Sequence, residues 1–279
     1  MQNANLPVTS REYKLILNTE RFKNPAEGCI AFTKLLSFLI TQKFDGRITN
    51  DQTGKDEEIR LTYYLDTKDS ALRREGLVLR VREEENDKFK TTLKCRTSDR
   101  YIASALDVTS PRQKERKFEE DIVPPFVSKF SHSSSIKNGS LPDLSTIDKV
   151  AELFPGLKNL SLDGTLPVNV VNGFKAFEVV RKTGIFRFGQ DDLDVKSNLS
   201  FWYFQGKEDT WPLVGEFSFD YDISDQVKEA TSRAKQAILE EYPKQTVEGS
   251  NRLFAALQSH AGWFNFNIIN KTAFALEVL

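Results

Sequence analysis

Two cysteines, Cys29 and Cys95, and two histidines, His132 and His260, are all that this chain of 279 residues offers for thiol or imidazole chemistry. That excludes a disulfide framework and a cysteine metal site, and a reducing compartment is the expectation. Neither histidine belongs to a recognisable catalytic pattern. No apolar run approaches the roughly 20 residues that span a bilayer, and the start, MQNANLPVTSREYK, lacks a signal-like apolar stretch. A soluble, cytoplasmic protein without a membrane partner is therefore expected. A basic excess is also absent. Lys plus Arg number 39 against 40 Asp plus Glu, a net charge of −1, which argues against a nucleic-acid-binding surface. It leaves room for one internal basic site matched by acid elsewhere.

What is present is core material and alternation. The chain is 39% hydrophobic with 21 Phe. Arg11–Asn18 (REYKLILN) alternates as a strand, with Glu12, Lys14 and Ile16 on one face and Tyr13, Leu15 and Leu17 on the other. Pro25 opens a helix with Ile30, Phe32, Leu35, Leu36, Leu39 and Ile40 at helical spacing. Thr49–Glu58 reads as a loop, and Arg60–Leu65 as a strand. In LVLRVR, Arg80 and Arg82 share a face, as do Lys90, Thr92 and Lys94 in KTTLK, and Asn86-Asp87 between them suits a hairpin turn. Lys117, Glu119 and Asp121 alternate again. Ser131–Ser145 is the most linker-like stretch, and Ser145 caps a short helix to Leu153. Phe174–Arg187 reads as a hairpin, and Leu199–Phe204 and Leu213–Tyr221 as aromatic-rich strands, with Trp202 and Phe217 in outer packing. Ser224 caps a helix to about Tyr242, and a last helix near Ser250–Ala261 precedes a strand-like tail.

Charges of both signs on alternating positions of many strands suggest a curved sheet or barrel with a polar interior. Arg and Lys could hold phosphate oxygens there, and carboxylates a hard cation. At this point the motif order resembles the CYTH superfamily, the triphosphate tunnel metalloenzymes. Glu12-Tyr-Lys14 matches the end of its opening Glu-x-Glu-x-Lys strand, with Ser10 in place of the first Glu. Tyr64-Leu-Asp66-Thr67, Leu79-Arg80-Val-Arg82 and Thr92-Leu-Lys94 follow in family order. Lys117-Phe-Glu119-Glu-Asp121, Arg181 and Glu216-Phe-Ser218-Phe-Asp220 complete it.

The resemblance implies an α+β, mainly β fold: an eight-stranded antiparallel barrel forming a tunnel, with helices packed outside. It implies one domain over 1–279, its core about 11–242 and a C-terminal helical extension over 243–279. It implies Mg²⁺ or Mn²⁺, held by Glu12, Glu119, Asp121 and Glu216. Lys14, Arg80, Arg82, Lys94, Lys117 and Arg181 would bind phosphate, with Glu119 and Lys14 catalytic. The expected activity is metal-dependent hydrolysis of tripolyphosphate or a small organic triphosphate such as thiamine triphosphate; a 5′-triphosphate end would be the one nucleic-acid substrate. The alternatives are class IV adenylate cyclase activity and polyphosphate binding without catalysis. Ser10 and Ser218, both uncharged, imply a weakened metal site.

Overall fold

The computed structural model describes residues 6–51, 57–86, 88–207, 210–224, 227, 234, 238, 243–268 and 270–278. Ten strands are seen: β1 Ser10–Leu17, β2 Gly46–Asn50, β3 Glu57–Thr67, β4 Leu77–Glu84, β5 Lys88–Thr97, β6 Glu115–Val123, β7 Val127–Asn138, β8 Val168–Phe188, β9 Val195–Phe204 and β10 Val214–Asp222. Around them lie α1 Pro25–Phe38, α2 Ala71–Arg74, α3 Arg100–Ala105, α4 Ile147–Leu153, α5 Lys244–Ser259 and the single turn α6 Lys271–Ala273. The helix expected over Ser224–Tyr242 falls mostly on residues outside those described.

Nine strands close on themselves in the order β8-β3-β4-β5-β7-β6-β1-β10-β9, with β9 pairing back to β8; β2 lies outside, on β8. The expectation of eight antiparallel strands is corrected in two respects. The additional strand is β7, the serine-rich segment read as a linker, where Ser131, His132, Ser133, Ser134 and Ser135 are all buried. Small hydroxyl side chains suit a crowded inward face, and composition alone does not separate that from a loop. The second respect is direction: β1 runs parallel to β6 and antiparallel to β10. A parallel neighbour needs a long connection, and β2, β3, β4 and β5 lie between β1 and β6 in the chain.

Phe174–Arg187 is not a hairpin. It is part of the single strand β8, which bends at a register shift between Lys182 and Gly184 while Thr183 keeps a 2.7 Å hydroxyl contact to Ser197. The N-cap of α4 is Thr146, one residue after the expected Ser145. The tail after α5 forms short helical turns rather than a strand.

Period-two alternation sorts the wall. Outward residues of β1, β8, β9 and β10 (Tyr13, Val179, Phe201, Phe217, Phe219) pack against α1 and α5 through Phe32, Leu36, Leu253 and Phe254. Tyr13 stacks on Phe219 at 4.7 Å. Outward residues of β3–β6 pack against α2, α3 and α4. Cys95 lies on this face, and burial pushes its thiol up to about 11, which makes it an unreactive packing group. Among the described residues no helix is long and apolar enough to cross a membrane.

His132 faces the outer layer, satisfied on both nitrogens. Arg116 Nε donates to Nε2 at 3.0 Å, and Nδ1 lies 3.1 Å from the Leu106 carbonyl oxygen. Burial, then the Arg116 charge, hold its pKa below the ordinary value, against the Leu106 and Ala103 carbonyls and Asp107. The unfolded chain therefore takes up a proton near pH 6.5 that the fold resists, so this contribution is full above that pH and lost as pH falls through it. The urea midpoint of the parent relative to His132→Gln is expected to rise between about pH 5.5 and 7. Equal slopes in the two proteins would contradict it.

Candidate functional site

The inward face of the barrel encloses a cavity of about 300 Å³, at the small end of the range for ligand sites. One wall is cationic. β4 contributes Arg80 and Arg82, β5 contributes Lys90, Lys94 and Arg96, and β3 contributes Arg60. Pairing puts Arg82 opposite Thr62 and Lys90, and Arg80 opposite Tyr64 and Thr92. The other wall mixes signs, with Glu12 and Lys14 from β1, Glu115, Lys117 and Glu119 from β6 and Glu216 from β10, while β8, paired with β3, sets Glu178 against Arg60 on the cationic side. Cationic side chains outnumber carboxylates in the lining by nine to five among the described residues.

Glu178 anchors the cationic wall. Its Oε2 accepts from Arg60 Nε and the Thr62 hydroxyl, each at 2.7 Å, with Arg82 Nε at 3.8 Å. Its Oε1 accepts from the Ser200 hydroxyl and Lys271 Nζ, each at 2.8 Å. Burial alone would raise its pKa, but Lys271, Arg60 and Arg82 outweigh that and hold it well below the usual carboxylate value. This one carboxylate does not satisfy the guanidinium groups around it. The Nε atoms of Arg80 and Arg82 are buried without an acceptor. Burial, then Arg80 and Arg60, push Arg82 down to about 9, against the pull of Glu178.

Asp121 is the counterpart on the opposite wall. It is fully buried, with Lys14 at 2.8 Å, Arg96 at 3.1 Å, Lys94 at 3.7 Å and the Ser131 hydroxyl donating at 3.0 Å. Burial acts against its charge, and the three cations reverse the effect, holding it far below the usual range. Lys14 also lies 2.7 Å from Glu12. Burial works to lower its pKa, but Asp121 and Glu12 hold it above the ordinary lysine value. Glu119 accepts weakly from the Ser10 hydroxyl at 3.5 Å and lies 3.9 Å from Lys94 and 3.8 Å from Lys117. Asp220 faces Glu12 across the β1–β10 ladder. Burial first, then Glu12 and Glu119, raise it to about 7, with Lys117 opposing.

Of the residues singled out in the sequence, the cavity brings together Glu12, Lys14, Arg80, Arg82, Lys94, Lys117, Glu119 and Glu216. Asp121 sits behind the lining, consumed by its cation shell. Arg181 is not brought there. It shares the outward parity of Val179, its Nε lies 2.9 Å from Glu57, and Nη1 is 3.7 Å from Cys29 Sγ. Asp66 caps α2, accepting from the Leu72 N–H at 2.9 Å and the Arg73 N–H at 3.0 Å. Trp202 points inward rather than into the outer core and, with Ile16, Tyr64, Ala176 and Val214, makes an apolar end to the cavity.

Sequence reasoning placed Lys90 on the face of Lys94 without giving it a role, and missed Arg60, Arg96, Glu115, Glu178 and Lys271. Lys90 and Arg96 continue the period-two face of Lys94 and were legible by that rule. Glu178 is a lone charge in FEVV, and Lys271 comes from the tail, where no local pattern marks it. That tail covers the apolar end, with Phe274 and Ala275 packed on Trp202, Tyr64 and Val214.

The Mg²⁺ or Mn²⁺ implied by the resemblance can be tested against the donors. Carboxylate oxygens are the right chemistry, but their arrangement does not fit. Among the described residues no group of three or more His, Cys, Asp or Glu side chains has the geometry to hold an ion. Glu12, Asp121 and Glu216 instead each face a lysine, at 2.7, 2.8 and 3.8 Å.

No protein-family model matches the chain, and no curated protein matches it. Solved structures do. A Hippeastrum protein assigned as an adenylyl cyclase, and described as having a dominant triphosphatase activity, is 13% identical with a TM-score of 0.39, covering 86% of this chain and 88% of that one. A protein from Bacillus halodurans assigned as an adenylate cyclase is 13% identical with a TM-score of 0.36, covering 88% of this chain and 91% of its own. A third, from Vibrio parahaemolyticus with the same assignment, is 11% identical with a TM-score of 0.30, covering 89% and 90%. These are loose overlays at low identity, and the barrel itself stands on the strand pairing described above.

Proposed function

We propose that the chain is a CYTH-type tunnel protein that binds the triphosphate group of tripolyphosphate or a small organic triphosphate and hydrolyses it. The observation that supports this most is the crowding of Arg60 and Arg82 on one carboxylate with Arg80 beside Arg82, the Nε groups of Arg80 and Arg82 being left without acceptors. Like charges that depress one another inside a cavity lack an anion. A phosphate meets that need, because its oxygens accept bidentate guanidinium bonds at several points along a chain.

On this reading Lys94 and Lys117 extend the phosphate path towards Glu119. Lys14 is cationic at every working pH, so it serves as a fixed positive charge for the oxygen that gains charge as the anhydride breaks, not as a base. Glu119 is the carboxylate that can take a proton from attacking water. Mg²⁺ or Mn²⁺ is assigned no step, since the donors as arranged do not form its site.

The test is orthophosphate release from tripolyphosphate, thiamine triphosphate and ATP, with and without Mg²⁺ or Mn²⁺. Release from at least one is expected, and Glu119→Ala should lower kcat by about 100-fold or more with little change in KM. Cyclic AMP and pyrophosphate from ATP would identify a cyclase instead. A second reading, binding without turnover, is favoured by Ser10, by Ser218 and by the lysines on the carboxylates. It predicts tight binding and no release in the same experiment.

A further inference from the structure

The carboxylates that the resemblance would give to a metal are neutralised by the chain's own ammonium groups. Lys271 is the telling case, because it is not part of the barrel. Its side chain is only 10% exposed, its Nζ lies 2.8 Å from Glu178 Oε1 and 3.8 Å from Glu216 Oε1, and it also donates to the Ser200 hydroxyl. Its ammonium stands 5.2 Å from the centre of the Trp202 ring, a further cation-binding contact.

A surface lysine does not reach such a position by chance, and this one is held there. Asn270 caps the turn, accepting from the Ala273 N–H at 2.9 Å. The Thr272 and Tyr64 hydroxyls are 3.1 Å apart, and Arg73 Nη1 donates to the Leu276 carbonyl at 3.3 Å. Phe274 and Ala275 fill the apolar end of the cavity. Withdrawing Lys271 would break these contacts and strand Glu178 and Glu216 with one cation fewer.

Resting on the triphosphate site proposed above, we infer that Lys271 between Glu178 and Glu216, with Lys14 between Glu12 and Asp121, takes the place of divalent cations, so that the tunnel binds a triphosphate as the metal-free anion. A divalent ion offered to these carboxylates must displace a tethered ammonium, whose effective concentration far exceeds that of a free competitor. It would also have to add positive charge to a cavity already rich in it. The anion meets no such obstacle, since the buried Nε groups of Arg80 and Arg82 have no acceptor of their own.

Isothermal titration of the full chain with tripolyphosphate, in EDTA and then in excess Mg²⁺, tests this directly. The two dissociation constants are expected to agree within about threefold, under 1 kcal/mol. Binding seen only with Mg²⁺ would overturn the inference while leaving the site standing. Binding under neither condition would remove the site itself. Mn²⁺ titrated alone, followed by electron paramagnetic resonance, reads the lysines independently of any phosphate. The wild-type chain should show no saturable binding, Lys271→Arg should match it, and Lys271→Ala should gain saturable Mn²⁺ binding. Saturable Mn²⁺ binding by the wild-type chain would overturn the inference. So would a folded Lys271→Ala indistinguishable from it. The comparison on the unmodified protein decides the matter if that variant does not fold.

Discussion

Asp121→Ala is expected to destabilise the protein by about 3–5 kcal/mol, the usual consequence of removing one partner from a buried ion cluster. A domain's whole stability is about 5–15 kcal/mol, so the variant should melt far below the parent or fail to accumulate. The reason lies in the three cations left behind. Lys14, Lys94 and Arg96 converge on one carboxylate with no exposure to solvent, and alanine leaves them facing one another in a desolvated space. Asp121→Asn keeps the shape and the Ser131 contact but not the charge, and should lose nearly as much. The measurement is a urea melt monitored by far-ultraviolet circular dichroism. A double variant supplies the check on mechanism: Lys94→Met added to Asp121→Asn removes one stranded cation and should restore part of the loss. If the single variants melt within about 1 kcal/mol of the parent, the cluster is not what holds β1, β5 and β6 in register.

Arg80→Ala with Arg82→Ala should have the opposite profile, with a large effect on ligand and little or none on the fold. Each charge-assisted hydrogen bond to a phosphate is worth about 1.5–3 kcal/mol, so losing both guanidinium groups should weaken tripolyphosphate binding by about 10²–10⁴-fold. Stability should stay the same or rise, because burial and the neighbours Arg80 and Arg60 already disfavour the charge on Arg82. A group that costs the empty protein something and holds a ligand is the expected signature of a binding residue. Titration calorimetry paired with thermal melts would show it. Weaker binding accompanied by an equal drop in stability would mean that the arginines are structural. Unchanged binding would remove them from the site.

Much of the inward face was legible in the chain because a strand has a period of two. Glu12 with Lys14, Arg80 with Arg82, and Lys117 with Glu119 share a side wherever the segment is extended, and each pair does line the cavity. The same rule fails when the register is off by one. Arg181 lies three positions beyond the inward Glu178 and so falls on the outer side, paired with Glu57. The parity of β8 could not be read from Phe174–Arg187, because a segment taken for a hairpin continues as one strand past Gly184. β7 was missed for a related reason: serines are common in loops and equally at home against a charged lumen.

Local sequence alone determined the extended segments of β1, β4, β5, β6, β9 and β10, which side of β1, β4, β5 and β6 would carry charge, and that one interior would hold both signs. Those are short-range properties, set by side-chain alternation and turn chemistry within a few residues. The tertiary structure decided what each inward charge meets. Asp121 looked like a ligand for a metal and is instead enclosed by Lys14 from the adjacent β1 and by Lys94 and Arg96 from β5, two strands away across β7. Lys271 carries no local signal and reaches Glu178 only because the tail folds back over the barrel. A charge's partner depends on distances across strands and on where a remote segment docks, and Coulomb and desolvation energies depend steeply on both.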